Sequence, residues 1–238
     1  MDRRSRNMIE LTIIVPVYNE ARIINKSIPR IINEVQKICE TFEVIAVDDG
    51  SSDNTGKKLS KLGKKFKELI ILEHKKNRGL GASIKTAAIK SRGKILITID
   101  ADLSYSPAQI PDLLSKIGSY DIVIGSPYCT GNMVKAPIIR KIASLVQNKM
   151  YATLLRTNIS CVSGMFRAYK KEVLQCIDIE HQRYDSQIEI IVKALKKGYQ
   201  IVEVPAVNNW PQNRESKVVL IREIPNSIRL LIKLMFNS

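Results

Sequence analysis

The sequence predicts an α/β fold, a mostly parallel central sheet flanked by helices, on three observations. Apolar runs at Leu11 to Val17, Val44 to Val47, Leu69 to Leu72 and Ile95 to Ile99 each end in polar residues, as buried strands do. Between them lie helical patterns such as Ile24, Ile28, Ile31, Ile32, Val35 and Ile38, whose spacing of three and four puts one apolar stripe on a sheet face. Apolar residues make up 45% of the chain but aromatics only 5%, so the core rests on Ile, Leu and Val, as in doubly covered parallel sheets. Alternating strands and helices pair in parallel through right-handed crossovers, and ligands bind beyond the carboxyl ends of the strands.

Taken in order, the elements continue with a helix near Pro107 to Ile117, a strand at Asp121 to Gly125 and a long amphipathic helix from about Ile139 to Leu155. A less regular half follows, with a strand at Val162 to Tyr169, a helix at Ser186 to Lys197 and a strand at Tyr199 to Val204 closed by Pro205. Pro225 to Phe236 reads as an amphipathic helix with Ile228, Leu231, Ile232 and Met235 on one face. Such a helix either packs on the domain or lies in a membrane interface with its cations on phosphate headgroups. The 238 residues bury about 70 to 75% of their unfolded surface as one domain. The expected division is a single domain over 1–220, with 10–104 and 105–220 as its halves, followed by the helical segment 221–238.

Lys and Arg number 38 against 23 Asp and Glu, a formal net charge of +15. That balance suits polyanionic partners, whether phosphorylated substrates, anionic lipid headgroups or nucleic acid, and also a merely basic surface. Cys39, Cys129, Cys161 and Cys176 show no paired spacing, which points away from a zinc site or a disulfide framework. Residues Met1 to Glu10 are polar and basic without an apolar stretch behind them, unlike a secretory signal, and no apolar run reaches the ~20 residues that span a bilayer. A soluble or peripheral protein in a reducing, cytoplasmic compartment is expected.

The polar strand ends carry the chemistry. The first runs into Pro16-Val17-Tyr18-Asn19-Glu20, without the glycine-rich turn that a dinucleotide-binding fold uses to approach a pyrophosphate, which disfavours a dehydrogenase. The second ends in Asp48-Asp49-Gly50-Ser51-Ser52-Asp53, an acidic turn able to accept bonds from ribose or base, or an Asx turn that caps a helix. The fourth ends in Asp100-Ala101-Asp102-Leu103-Ser104. Two carboxylates flanking a small residue can face a hard divalent cation at about 2.1 Å, and the cation in turn neutralises like charges that otherwise repel. Taken alone, that triplet also fits a strand-ending turn before Ser106-Pro107.

These motifs recur in order at successive strand ends. Together with Asn77-Arg78-Gly79-Leu80-Gly81-Ala82 they resemble family-2 glycosyltransferases of the GT-A fold. Asp100 to Pro107, Gly125-Ser126, Ser163-Gly164-Met165-Phe166-Arg167-Ala168-Tyr169, Gln187-Ile188-Glu189 and Glu215-Ser216-Lys217 narrow the likeness to polyprenyl-phosphate (dolichol-phosphate) mannose synthases. The resemblance covers roughly Thr12 to Lys217. It implies a metal-dependent, inverting transfer of a hexose, mannose or glucose, from a nucleotide-sugar of GDP-mannose or UDP-glucose type to a polyprenyl or dolichyl phosphate. A membrane surface is an implied partner and nucleic acid is not.

By the same resemblance, Pro16, Tyr18, Glu20, Val47 and Asp49 surround the nucleoside. Asp100, Ala101 and Asp102 meet diphosphate and a Mg or Mn ion, with Ser104 as a weak third ligand. Asp102 and Arg140 are the implied catalytic residues. Arg140, Ser144 and Lys217 face the acceptor phosphate, although Arg140 alone also fits a solvated helix face. Three departures from the family pattern stand out: Pro127 stands where an arginine is usual, Cys161-Val162 replace an acidic-proline pair, and Arg214 replaces glycine. Arg214 could return the charge missing at Pro127. The departures cluster on the acceptor side and leave open a saccharide hydroxyl acceptor, with Asp185 or Glu189 as base, or a catalytically impaired membrane- or nucleic-acid-binding module.

Overall fold

The computed structural model describes residues 10–129, 134–135, 138–181 and 185–209; for 134–135, 138–141 and 143 only the backbone is described. The strands are β1 Leu11–Val17, β2 Phe42–Asp48, β3 Leu69–Glu73, β4 Ile95–Thr98, β5 Ile122–Ser126, β6 Val134–Lys135, β7 Arg167–Lys170, β8 Ile201–Pro205 and β9 Asn208–Asn209. The helices are α1 Ile24–Gln36, α2 Thr55–Gly63, α3 Leu80–Lys90, α4 Ile110–Ile117, α5 Ile138–Leu154, α6 Lys171–Cys176 and α7 Asp185–Lys196, with a single 3₁₀ turn at Pro107–Gln109. The segments 210–220 and 221–238, with the expected helix at Pro225 to Phe236, lie outside the described residues.

Seven strands form one sheet in the order β3-β2-β1-β4-β7-β5-β8, and β6 pairs with β9 in a separate ribbon. Only β7 runs against its neighbours β4 and β5; the other pairs in the large sheet are parallel. The sheet is thus mostly parallel, as the sequence predicts. Alternation along each strand feeds two cores. Ile13, Val15, Val17, Val44 and Ala46 pack with Ile24, Ile28, Ile31 and Ile32 of α1, Leu59 of α2 and Leu113 of α4. Ile14, Ile45 and Val47 turn the other way, toward Ile84 and Ala87 of α3, Tyr151 of α5 and Ile188 and Ile191 of α7. Each fully buried aliphatic side chain contributes about 1.5–3 kcal/mol, so both sheet faces are anchored and the strand ends are rigid platforms.

One element departs from expectation. The apolar stretch read as a strand from Val162 becomes one only at Arg167, because residues 160–163 bond to side chains rather than to a neighbouring strand. Ser160 N and Cys161 N donate to the Glu203 carboxylate at 2.8 Å each, and Val162 N donates to Asn148 Oδ1 at 3.0 Å. Among the described residues no helix is long and apolar enough to cross a membrane.

Candidate nucleotide and acceptor site

Because β1 lies between β2 and β4 and all three run in parallel, their carboxyl ends meet at one edge. That edge gathers Pro16, Tyr18 and Glu20 after β1, Val47 and Asp49 at β2, and Asp100 to Ser104 after β4. Val47 is fully buried among the core residues facing α3, so what it can offer a ligand is backbone. Tyr18 is 42% exposed.

The first two loops are stapled to each other. Asn19 takes a left-handed φ of 55°; its N–H donates to Ser51 Oγ at 2.9 Å, and its Oδ1 accepts from Ser52 N at 2.8 Å. Glu20 N donates to Thr55 Oγ1 at 2.9 Å and Ala21 N to Asp53 Oδ2 at 3.2 Å. Asp48 Oδ1 accepts from Ser51 N at 3.0 Å. The acidic turn is therefore an Asx turn and also a clasp on the residues that follow β1.

Asp49 is only 4% exposed and reaches the other way, into the loop after β3. Its Oδ1 accepts from Arg78 N at 2.9 Å and lies 2.6 Å from His74 Nδ1, while Oδ2 accepts from Gly79 N at 2.7 Å. Gly50 makes room for the same loop: with φ +69°, it would place a Cβ 2.7 Å from Asn77 N. Lys76, Asn77 and Arg78 are held against the β2 turn by this packing. They border a cleft of about 630 Å³ whose far wall includes Ile179 and His181.

After β4, Leu103 adopts φ 55°, turning the chain so that Ser104 N donates to Asp102 Oδ1 at 2.9 Å. Asp100 and Asp102 are both partly exposed, Ala101 is 5% exposed and Ser104 9%. Ser104 O accepts from Asn209 N at 2.7 Å, and Gln109 pairs through both side-chain amide atoms with the Val207 backbone. The segment after β8 is thereby laid over the carboxylate loop. Among the described residues no group of three or more His, Cys, Asp or Glu is gathered to hold a metal ion. Two aspartates at a strand end nevertheless suit a small hard cation, which is commonly bound by one or two carboxylates with substrate phosphates and water completing its shell.

The side expected to meet the acceptor is joined to this loop through aromatics. Tyr105 stacks on Phe166 at 5.1 Å between centroids, and Phe166 lies so close over Gly125 that a Cβ there would run into its ring. Since β7 is antiparallel, its leading residues, like the end of β5, sit at the same edge. Pro127 follows Ser126 there, and the usual arginine is missing from that turn. Ser144 on α5 accepts from Tyr128 OH at 2.8 Å, and its carbonyl accepts from Asn148 Nδ2 at 2.9 Å. Arg140 lies in the first turn of the same helix, with only its backbone described; Arg214 and Lys217 lie outside the described residues.

On this side the structure gives several residues roles that the sequence motifs did not specify. Cys161, at the usual acidic position, is 3% exposed, and burial pushes its thiol up to about 12. The carboxylate in that neighbourhood comes instead from Glu203 on β8, which also accepts from Ser160 Oγ at 2.8 Å. Arg167, fully buried, donates to Val162 O at 2.6 Å and Gln187 O at 3.0 Å, tying the loop to the first turn of α7. Glu189 is fully buried as well; burial pushes its carboxyl up, but Lys193 and the amides of Glu180 and His181 outweigh this and hold it below the usual range. With Lys193 Nζ at 2.7 Å and those amides at 2.9–3.1 Å, it is committed to structure, leaving Asp185 as the more open carboxylate at that end of α7.

Residues 12–178 match the family model described as Glycosyl transferase family 2. A polyprenol monophosphomannose synthase of Mycolicibacterium smegmatis is 31% identical over 202 residues, covering 81% of this chain and 75% of that protein. A dolichol-phosphate mannosyltransferase of Pyrococcus furiosus is 30% identical over 215 residues, 88% of this chain and 59% of its own length. Glycosyltransferase AglD of Haloferax volcanii is 25% identical over 222 residues, 91% of this chain and 35% of its own length. In fold, the chain is similar to glucosyl-3-phosphoglycerate synthase from Mycobacterium tuberculosis solved with Mn2+, uridine-diphosphate and phosphoglyceric acid. The TM-score is 0.74 at 16% identity, over 97% of this chain and 80% of that one.

Proposed function

Since the chain belongs to glycosyl transferase family 2, we propose that it moves a hexose, mannose or glucose, from a nucleotide-sugar to a polyprenyl or dolichyl phosphate at a membrane surface. The observation that carries this reading is the meeting of three loops at one sheet edge: Pro16 to Glu20, the Asp49 turn with its Arg78 loop, and Asp100-Ala101-Asp102. The names of the relatives from Mycolicibacterium smegmatis and Pyrococcus furiosus support the acceptor.

In this reading Pro16, Tyr18, Glu20, Val47 and Asp49 surround the nucleoside, and Ala101 leaves space for its passage toward the diphosphate. Asp100 and Asp102, with Ser104 beside them, hold a Mg or Mn ion against that diphosphate; bound there, the ion neutralises charge on the leaving nucleoside diphosphate. Arg140, Ser144, Arg214 and Lys217 take the acceptor phosphate. A phosphomonoester has a second pKa near ~6, so it arrives ionised and needs no protein base to attack the anomeric carbon. The chain's task is then alignment for a single displacement with inversion. On α5, Ile142, Leu145 and Val146 are 55%, 38% and 59% exposed at a spacing of three and four. This apolar stripe, on the helix that carries Ser144, suits contact with a lipid surface.

The test is to offer the protein GDP-mannose and UDP-glucose with Mn2+ and either polyprenyl phosphate in vesicles or a free saccharide. The expected result is a lipid-linked sugar whose formation needs both metal and lipid phosphate. Transfer to the saccharide alone would overturn the acceptor assignment and point to Asp185 as a base.

A further inference from the structure

His74 lies after β3, its side chain 4% exposed, and takes no part in the reading above. Its main-chain N–H donates to Asp48 O at 2.9 Å, which fixes the backbone against the end of β2. Its ring spans two elements, with Nδ1 2.6 Å from Asp49 Oδ1 and Nε2 3.0 Å from Thr86 Oγ1 on α3. An ionised carboxylate only accepts hydrogen bonds, so Nδ1 carries a proton and donates to Asp49. Nε2 is matched by the Thr86 hydroxyl, which can accept or donate.

Asp49 in turn receives the amides of Arg78 and Gly79. Those amides precede α3, where Gly79 holds φ 90° and the chain changes direction. In one rotamer the carboxylate binds both amides and the ring at once. Without the ring, one side of a buried carboxylate would lose a charge-assisted bond and gain freedom to turn.

We propose that His74 is a positioning residue for the donor site: its Nδ1–H sets Asp49, and Asp49 sets the Lys76 to Gly79 loop against the nucleotide edge. The proposal rests on the donor reading given above. The effect passes through a carboxylate with three partners already, so His74 needs no contact with the nucleotide. Its second arm, to Thr86, fixes the ring to α3 and hence to the wall of the adjoining cleft, which Thr86 also lines.

Two substitutions separate this role from mere filling of space. In His74→Asn the side-chain amide nitrogen sits where Nδ1 does and still donates to Asp49; in His74→Ala nothing does. Calorimetry with GDP or UDP in the presence of Mn2+ is expected to show affinity about tenfold weaker for His74→Ala and within about threefold of wild type for His74→Asn. Amide hydrogen exchange is expected to speed up at Arg78 and Gly79 in His74→Ala and to stay slow in His74→Asn. Unchanged exchange and affinity in His74→Ala would overturn the proposal, as would equal losses in both variants. If the wild type bound neither nucleotide, the donor reading would fall, and exchange at Arg78 and Gly79 alone would still decide the role of His74.

Discussion

Cys161 occupies the position where the family pattern leads one to expect an acid, and its surroundings explain how the loop holds without one. Its amide is taken by Glu203, and its sulfur lies where a Gly164 side chain would go, 2.6 Å from a Cβ placed there. Burial pushes the thiol up to about 12, which keeps it protonated near neutral pH, and only the thiolate is a nucleophile. With an aromatic disulfide reagent at pH 8, exposed Cys129 and Cys176 are expected to react promptly. Cys161 is expected to react only on unfolding; labelling at the rate of the exposed pair would contradict its placement. The residue scale is also where the sequence was least legible. Glu203, Asn148, Arg167 and His74 act across separations of 14 to 42 positions, and neither periodicity nor local turn chemistry marks such partners.

Among the elements, the parallel strands were readable because strands covered on both faces show as unbroken apolar runs, and Leu11–Val17 begins and ends where that run does. The reversed direction of β7 was not, since an apolar run reads alike in both directions. Nor was the short α6, or the loop at Cys161 to Met165, where Cys161, Val162 and Met165 are buried without being paired in a sheet. Helix placement gives a sharp stability contrast. At Gly81 on α3, a Cβ would run into the His181 carbonyl and lie 2.8 Å from Ser186 Cβ, whereas at Gly118, beyond α4, nothing lies within 4 Å. Gly81→Ala is expected to cost about 2–3 kcal/mol. Gly118, with an ordinary helical φ of −63°, is expected to gain up to about 0.4–1 kcal/mol as Ala. Thermal or urea unfolding checks both, and a neutral Gly81→Ala would mean that α3 and the residues before α7 are less tightly joined.

At the scale of the whole molecule, the strand order does what no single motif can. Placing β1 between β2 and β4 brings motifs some 30 and 80 positions apart to one edge, as Asn19 to Ser51 and Ile14 to Ile99 illustrate. The motifs were legible separately, but the acidic turn after β2 and Asp100-Ala101-Asp102 each alone also fitted a turn, and it is their adjacency that supports the proposed donor site. The acceptor half is drawn less sharply, with Pro127 lacking the usual cation and Arg214 and Lys217 outside the described residues. The most direct measurement of the central claim is calorimetric binding of GDP and UDP with Mn2+, with the metal removed, and with Asp102→Asn. The account predicts that one nucleotide binds, and that chelation or the substitution weakens it at least about tenfold. Equal affinity with and without metal, unchanged in Asp102→Asn, would contradict it.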